Sequence, residues 1–92
     1  MNLYLVCFDI TDDGNRERVG KYLAEYGQRV QRSVFEIVVK DEGELTRLKA
    51  RLAPLVKAGD DLRCYALCRA CRQRSHDLQG ERVAYIPAAT IV

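Results

Sequence analysis

Six consecutive apolar side chains, Leu3-Tyr4-Leu5-Val6-Cys7-Phe8, run straight into a carboxylate at Asp9, with Asp12 and Asp13 close behind. Along an extended strand successive side chains alternate faces, so Leu3, Leu5 and Cys7 form one apolar face and Tyr4, Val6 and Phe8 the other. A strand that is apolar on both faces belongs in the middle of a sheet covered above and below. At an edge it would leave that surface in water.

The rest of the chain supplies partners for such a strand. Thr11, Asp12 and Asp13 offer caps for a helix whose apolar residues Val19, Tyr22, Leu23 and Tyr26 recur at i, i+3, i+4 and i+7, up to Gly27. From Gln28 to Lys40 the side chains become strand-like, Val30 and then Val34 to Val39, with Arg32-Ser33 placed to form a bulge or a tight turn between two short strands. Asp41-Glu42-Gly43-Glu44 precede a second helix with Leu45, Leu48, Leu52 and Leu55 on one stripe, and Pro54 is expected to kink or shorten its last turn. Ala58-Gly59-Asp60 interrupts the chain before Leu62 to Leu67, a further alternating strand. Beyond it "CRACRQRSHD" reads as polar and irregular, Val83 to Ile86 as a short final strand closed by Pro87, and "AATIV" as an apolar tail that wants a neighbour.

Strand, helix, strand, strand, helix, strand is the order of the ferredoxin-like βαββαβ sandwich, an α+β fold with both helices on one face of one sheet. Residues 1–92 are expected to form a single domain, with its core over about 1–72 and the extra strand and tail over about 73–92. Two helices cover only one face, while the first strand is apolar on both. A second copy is therefore expected on the open face, giving a sheet-to-sheet homodimer around a two-fold axis.

At 48% apolar and 30% charged, the chain has a modest core, and any large cleft must be shared with a partner. No apolar run approaches the ~20 residues that span a bilayer, and Met1-Asn2 lead into a strand with no basic segment or cleavage site. No membrane contact and a cytoplasmic location are expected. Four unevenly spaced cysteines, Cys7, Cys64, Cys68 and Cys71, fit thiols in a reducing compartment better than a disulfide framework. The net charge is only +2, yet the excess lies wholly in residues 61–92, where Arg63, Arg69, Arg72 and Arg74 meet no acid before Asp77. Such a run suits phosphates or plain solvation equally well.

Asp9 has two open readings. It is a helix-entry carboxylate tied to the amides of residues 11 to 13, or it lies near the two-fold, so that two copies either hold a divalent cation such as Mg²⁺ or share a proton. Arg16 and Arg18 open the first helix, an end that favours anions, and Arg29 and Arg32 sit on the strands beyond. They are candidate phosphate ligands, with pairing to Asp12, Asp13 or Glu17 as the ordinary alternative. Phe8 and Phe35 read as core, able to stack on bases only if exposed. Ser33 has no neighbouring histidine that would make it a nucleophile. Cys64-x3-Cys68-x2-Cys71-x4-His76 has ligand types for zinc but a single CxxC and one member inside a strand. A redox CxxC should open a helix after a strand in a thioredoxin-like layout, and nothing downstream supplies that layout; His76 is a lone loop histidine with no sign of general-base work.

The stretches "LVCFDITDD", "RERVGKYLAEYGQRVQRSVFEIVV" and "LRCYALCRAC" together resemble the CRISPR-associated protein 2 family over about residues 3–72, most specifically in Asp9 combined with "YGQRVQRSVFE" at 26–36. The resemblance implies a ferredoxin-like homodimer that takes part in spacer acquisition, bridging integrase subunits and binding the incoming duplex DNA. It further implies that Asp9 of each protomer is the catalytic and metal residue of an endonuclease acting on single-stranded RNA or duplex DNA, with Mg²⁺, or another divalent ion such as Mn²⁺, between the two. Arg16, Arg18 and Arg29 match the family's arginines, and Ser33 and Phe35 its serine and aromatic pair. Phe8 stands where tyrosine is frequent, so that hydroxyl is lacking. The region after Cys71 departs from the pattern. Three functions of different class follow: a metal-dependent phosphodiesterase, a non-catalytic DNA-bridging scaffold, and a regulatory domain of the same fold that binds a small ligand without nucleic acid.

Overall fold

The computed structural model describes residues 1–86. Its elements are β1 (Asn2–Asp9), α1 (Asp13–Ala24), β2 (Gly27–Gln31), β3 (Val34–Val39), α2 (Glu42–Leu52), a 3₁₀ turn (Ala53–Leu55), β4 (Asp61–Leu67) and α3 (Arg69–Gln73). The sheet runs β2-β3-β1-β4, with every neighbouring pair antiparallel. This is the βαββαβ order expected, and β1 is indeed flanked on both sides. No helix among the described residues is long and apolar enough to cross a membrane.

Local chemistry sets the element ends. The Asp12 side chain accepts from the Asn15 amide at 2.8 Å to start α1, and Asp41 accepts from the Glu44 amide at 2.9 Å to start α2, each satisfying a donor that has no partner within the helix. Pro54 ends α2 and draws the chain into the 3₁₀ turn, which still delivers Leu55 to the core. Arg32-Ser33 is the tight turn between β2 and β3, and the bulge falls one step earlier, where the register shifts between Arg29 and Gln31.

One face of the sheet is closed by α1 and α2. Tyr4, Val6 and Phe8 of β1 meet Val19, Leu23 and Leu48 there, all buried. Truncating Leu48 to alanine would cost about 2–5 kcal/mol through lost burial and a cavity. Tyr4 keeps its hydroxyl satisfied by donating to the Glu42 carboxylate at 2.7 Å, and that hydrogen bond, more than burial, raises the phenol pKa. Arg51 ties the helices together, pairing with Glu25 at 3.1 Å while lying over the Tyr22 ring.

The opposite face carries Leu3, Leu5, Cys7 and Asp9 in register with Val38, Glu36 and Val34 on β3 and with Leu67, Tyr65, Arg63 and Asp61 on β4. Its Leu3 end is covered by the chain itself: Leu3 is 2% exposed, and Tyr85 shares a cavity of about 230 Å³ with Leu3 and Val38. Its Asp9 end lies open.

Two expectations need correction. Val83 to Ile86 do not form a strand: only a single bridge, His76 to Arg82, precedes them, the Val83 amide donates to the Ser75 carbonyl, and Ala84 has φ of 55°. That left-handed residue breaks the extended run. Pro87 and the "AATIV" tail lie outside the described residues. The stretch expected to be irregular contains α3, which begins after Cys68 at the N-cap position without a side-chain cap and is braced by Arg72 Nη1, which donates to the Leu67 carbonyl at 2.8 Å. With no buried residue and one turn and a half of length, α3 leaves no apolar periodicity to read.

Candidate functional site

β1 delivers Asp9 to the open end of the uncovered face, where its side chain is exposed. The turn roles open to such a carboxylate are filled by others. Asp12 caps α1, and Asp60 accepts from the Lys57 amide at 2.9 Å and from the Thr11 amide and hydroxyl, both at 3.1 Å. These donors, the Lys57 amide first, hold the Asp60 carboxyl below its ordinary range. Among the described residues, nothing donates a hydrogen bond to Asp9.

Directly across the ladder from Asp9 stands Asp61, with Arg63 Nε donating to its Oδ2 at 2.8 Å. Sequence reasoning missed Asp61 because it started the strand at Leu62; the alternation of β4, extended back by one residue, would have placed it. The described residues bring no three metal-ligating side chains together. Asp9 does suit a hard divalent cation, offering a free, solvated carboxylate oxygen, but one chain supplies only that ligand beside a carboxylate already paired. An ion such as Mg²⁺ held here would keep most of its waters or recruit a second copy of the site.

On the α1 side, Arg16, Arg29 and Arg32 line one shallow cleft together with Asp13 and Glu17. Arg16 is anchored, donating from Nη1 to the Ile10 carbonyl at 2.9 Å and pairing with Asp13. Arg29 lies over the Phe35 ring, 5.0 Å from its centroid, in space left by the missing side chain of Gly20. Arg18 sits two residues on from Arg16, on the far side of the helix, and lines no part of the cleft. Phe8 and Phe35 are buried and stack with centroids 6.2 Å apart, so they support the cleft from below and offer no face to a base. Ser33 contributes through its backbone, its carbonyl accepting from the Phe8 amide at 3.0 Å.

The arginine run of the C-terminal third is divided by the fold. Arg63 faces the Asp9 end, whereas Arg69 and Arg72 join Arg82 in a second cleft at the other end of the sheet, beside Met1 and Tyr85. The cysteines do not converge either. Cys64 is half-buried against the core, where desolvation pushes its thiol pKa up, while Cys68 and Cys71 are exposed on the first turn of α3. No three of Cys64, Cys68, Cys71 and His76 form a ligand group. The CxxC does, however, directly follow β4 and open the short helix α3, although the surrounding fold is not thioredoxin-like. His76 is exposed, with Nδ1 at 3.1 Å from the Arg74 carbonyl. It follows α3, beyond the end of β4 remote from Asp9.

Comparison with known proteins gives a consistent picture. Residues 1–75 match the family model described as CRISPR associated protein Cas2. The chain is 43% identical over 79 residues to the CRISPR-associated endoribonuclease Cas2 4 of Rhodospirillum rubrum, a match covering 85% of this chain and 63% of that protein's length. It is 45% identical over 64 residues to the CRISPR-associated endonuclease Cas2 2 of Thermus thermophilus, covering 68% of this chain and 70% of that one. Among solved structures, Cas2 of Streptococcus pyogenes superposes with a TM-score of 0.72 at 32% identity, covering 83% of this chain and 98% of that one. A chain of a partial Cas6-RT-Cas1–Cas2 complex superposes with a TM-score of 0.84 at 31% identity, covering 94% of this chain and 100% of that one.

Proposed function

The chain belongs to the Cas2 family, and from that membership we propose that it serves CRISPR adaptation in the cytoplasm as a homodimeric, divalent-metal-dependent endonuclease that also bridges the subunits of a spacer integrase. The observation that carries the nuclease reading is Asp9: a free, exposed carboxylate at the end of the central strand, on the sheet face that the helices leave open. The relative from R. rubrum is named an endoribonuclease and that from T. thermophilus an endonuclease, which supports phosphodiester cleavage, and the complex that contains a related chain together with Cas1 supports the integrase partner.

In this reading a second copy packs on the half-exposed face around Leu5, Cys7 and Tyr65, which faces the same way as Asp9. The two Asp9 side chains then meet near the two-fold. The paired Asp9 carboxylates would hold a divalent ion such as Mg²⁺, which would supply Lewis-acid chemistry there. Arg29 and Arg32 hold the nucleic-acid backbone by neutralising phosphate charge, with Arg16 fixed beside them, while Arg18, on the far side of α1, adds only longer-range attraction.

A second reading, a non-catalytic DNA scaffold of the integration complex, is favoured by one specific observation: among the described residues each chain offers a single free carboxylate at this end, and its one histidine follows the other end of β4. Asp9→Asn separates the two. Purified variant and wild type are compared for Mg²⁺-dependent cleavage and, with the partner integrase, for spacer integration. Lost cleavage with integration intact assigns cleavage to Asp9 and bridging to the surface. Equal cleavage by both proteins would refute the nuclease reading.

A further inference from the structure

Cys68 and Cys71 are the two thiols that neither the core, the proposed dimer face nor the proposed nucleic-acid site uses. β4 ends at Leu67, Cys68 takes the N-cap position of α3, and Cys71 lies three residues on, one helical turn away. A helical turn has a pitch of about 5.4 Å, and a disulfide spans Cα atoms about 4.4–6.8 Å apart. The backbone therefore already holds the pair within bonding reach. Both thiols are exposed. The other two cysteines lie on β1 and β4, half-buried in the body of the sheet.

The surroundings set the two apart. The Cys68 sulfur makes no hydrogen bond of regular capping geometry. The Cys71 amide, the Cys71 thiol, the Ala70 amide and the Arg72 guanidinium nevertheless lie near enough to hold its pKa below the ordinary cysteine range. Cys71 is pushed the other way by the anion forming beside it. One thiol is prepared to attack and the other to follow.

We propose that Cys68 and Cys71 form a reversible dithiol–disulfide couple, oxidised by a small-molecule disulfide of the glutathione class and reduced by the corresponding thiol. The Cys68 thiolate attacks one sulfur of the small disulfide, which makes a mixed disulfide and expels one thiolate. Cys71, losing its proton to water, then attacks the Cys68 sulfur and expels the second thiolate. The two protons given up by the protein end on the two thiols released, and two electrons pass from the protein pair to the small disulfide. The bond formed stiffens the turn from which Arg69 and Arg72 project into the second arginine cleft.

The test is to equilibrate the full chain in buffers of graded reduced-to-oxidised glutathione ratio, alkylate the remaining thiols, and measure intact mass and cysteine-containing peptides. A species lighter by two hydrogens is expected to grow as the buffer becomes oxidising, to map to a Cys68–Cys71 bond, and to vanish when excess thiol is restored. Cys71→Ser is expected to stop at a glutathione adduct on Cys68. Four alkylated thiols at every ratio would overturn the proposal. So would a bond that uses Cys7 or Cys64, or thiols that react only after a chelator has removed a metal ion.

Discussion

Asp9 and Asp61 oppose each other in the β1–β4 ladder, and only one of them is engaged: Arg63 Nε donates to Asp61 Oδ2 at 2.8 Å. The two carboxylates are consequently unequal, and substitution should separate them. Asp9→Asn is expected to lower Mg²⁺-dependent cleavage by at least about 100-fold, the scale for losing a group that organises charge in the transition state. Asp61→Asn should cost less than about tenfold, the lower end for a residue beside a metal ligand. Initial rates across a Mg²⁺ titration check both.

Gly20→Ala should move stability and binding in opposite directions. Alanine inside a helix gains roughly 0.5–1 kcal/mol over glycine. The new Cβ would lie 2.6 Å from an Arg29 guanidinium nitrogen, the far end of a flexible side chain, so Arg29 must leave its place over Phe35. A higher midpoint in urea, together with weaker duplex-DNA binding, is the expected pair of results.

Gly27→Ala should be damaging throughout. A Cβ there would sit 1.9 Å from the Glu36 carbonyl oxygen and 2.7 Å from the Ile37 Cα, both backbone atoms that cannot step aside. Pairing of β2 with β3 must yield, at a cost of about 2 kcal/mol or more. Because β2 carries Arg29, the loss of affinity should accompany the fall in the denaturation midpoint.

Salt dependence distinguishes the arginines. Each phosphate contact removed should reduce the slope of log K against log salt by about 0.9 on duplex DNA. Arg29→Ala and Arg32→Ala are expected to do so. Arg18→Ala, outside the cleft, should change the slope by less, as measured by fluorescence anisotropy at several salt concentrations.

Glu36 gives a pH signature. Burial raises its carboxyl pKa above the ordinary value of 4.5, partly offset by the Ala84 amide. The folded chain therefore binds this proton more tightly than the unfolded chain. The stability it confers is fully present below the ordinary value and is lost as pH rises through the folded one. Glu36→Gln is expected to raise the urea midpoint at neutral pH, with the gain disappearing under clearly acidic conditions.

What was legible in the sequence was whatever depends on neighbours along the chain. Two-sided apolarity placed β1 at the centre, the leucine stripe and Pro54 placed α2 and its end, and Arg32-Ser33 placed the hairpin turn. Asp9 stood out because a charge closed an apolar run. What escaped depends on distant partners or on one dihedral angle. Asp61 becomes a neighbour of Asp9 only through the register of β4, and Arg29 joins Arg16 only when β2 lies beside α1. Val83 to Ile86 are an apolar run rich in strand-favouring residues, but no pattern of side chains reports the φ of Ala84.

The two rims of the sheet differ in a way that matters beyond any ligand. β4 is seven residues long and its pairing register runs without a shift, so its outer backbone groups form an even row. β2 has five residues and a register shift between Arg29 and Gln31, which interrupts its row of backbone groups. Sheet growth in this molecule thus has a preferred side: among the described residues the β4 rim offers another backbone a long even row, while the β2 rim is short and interrupted.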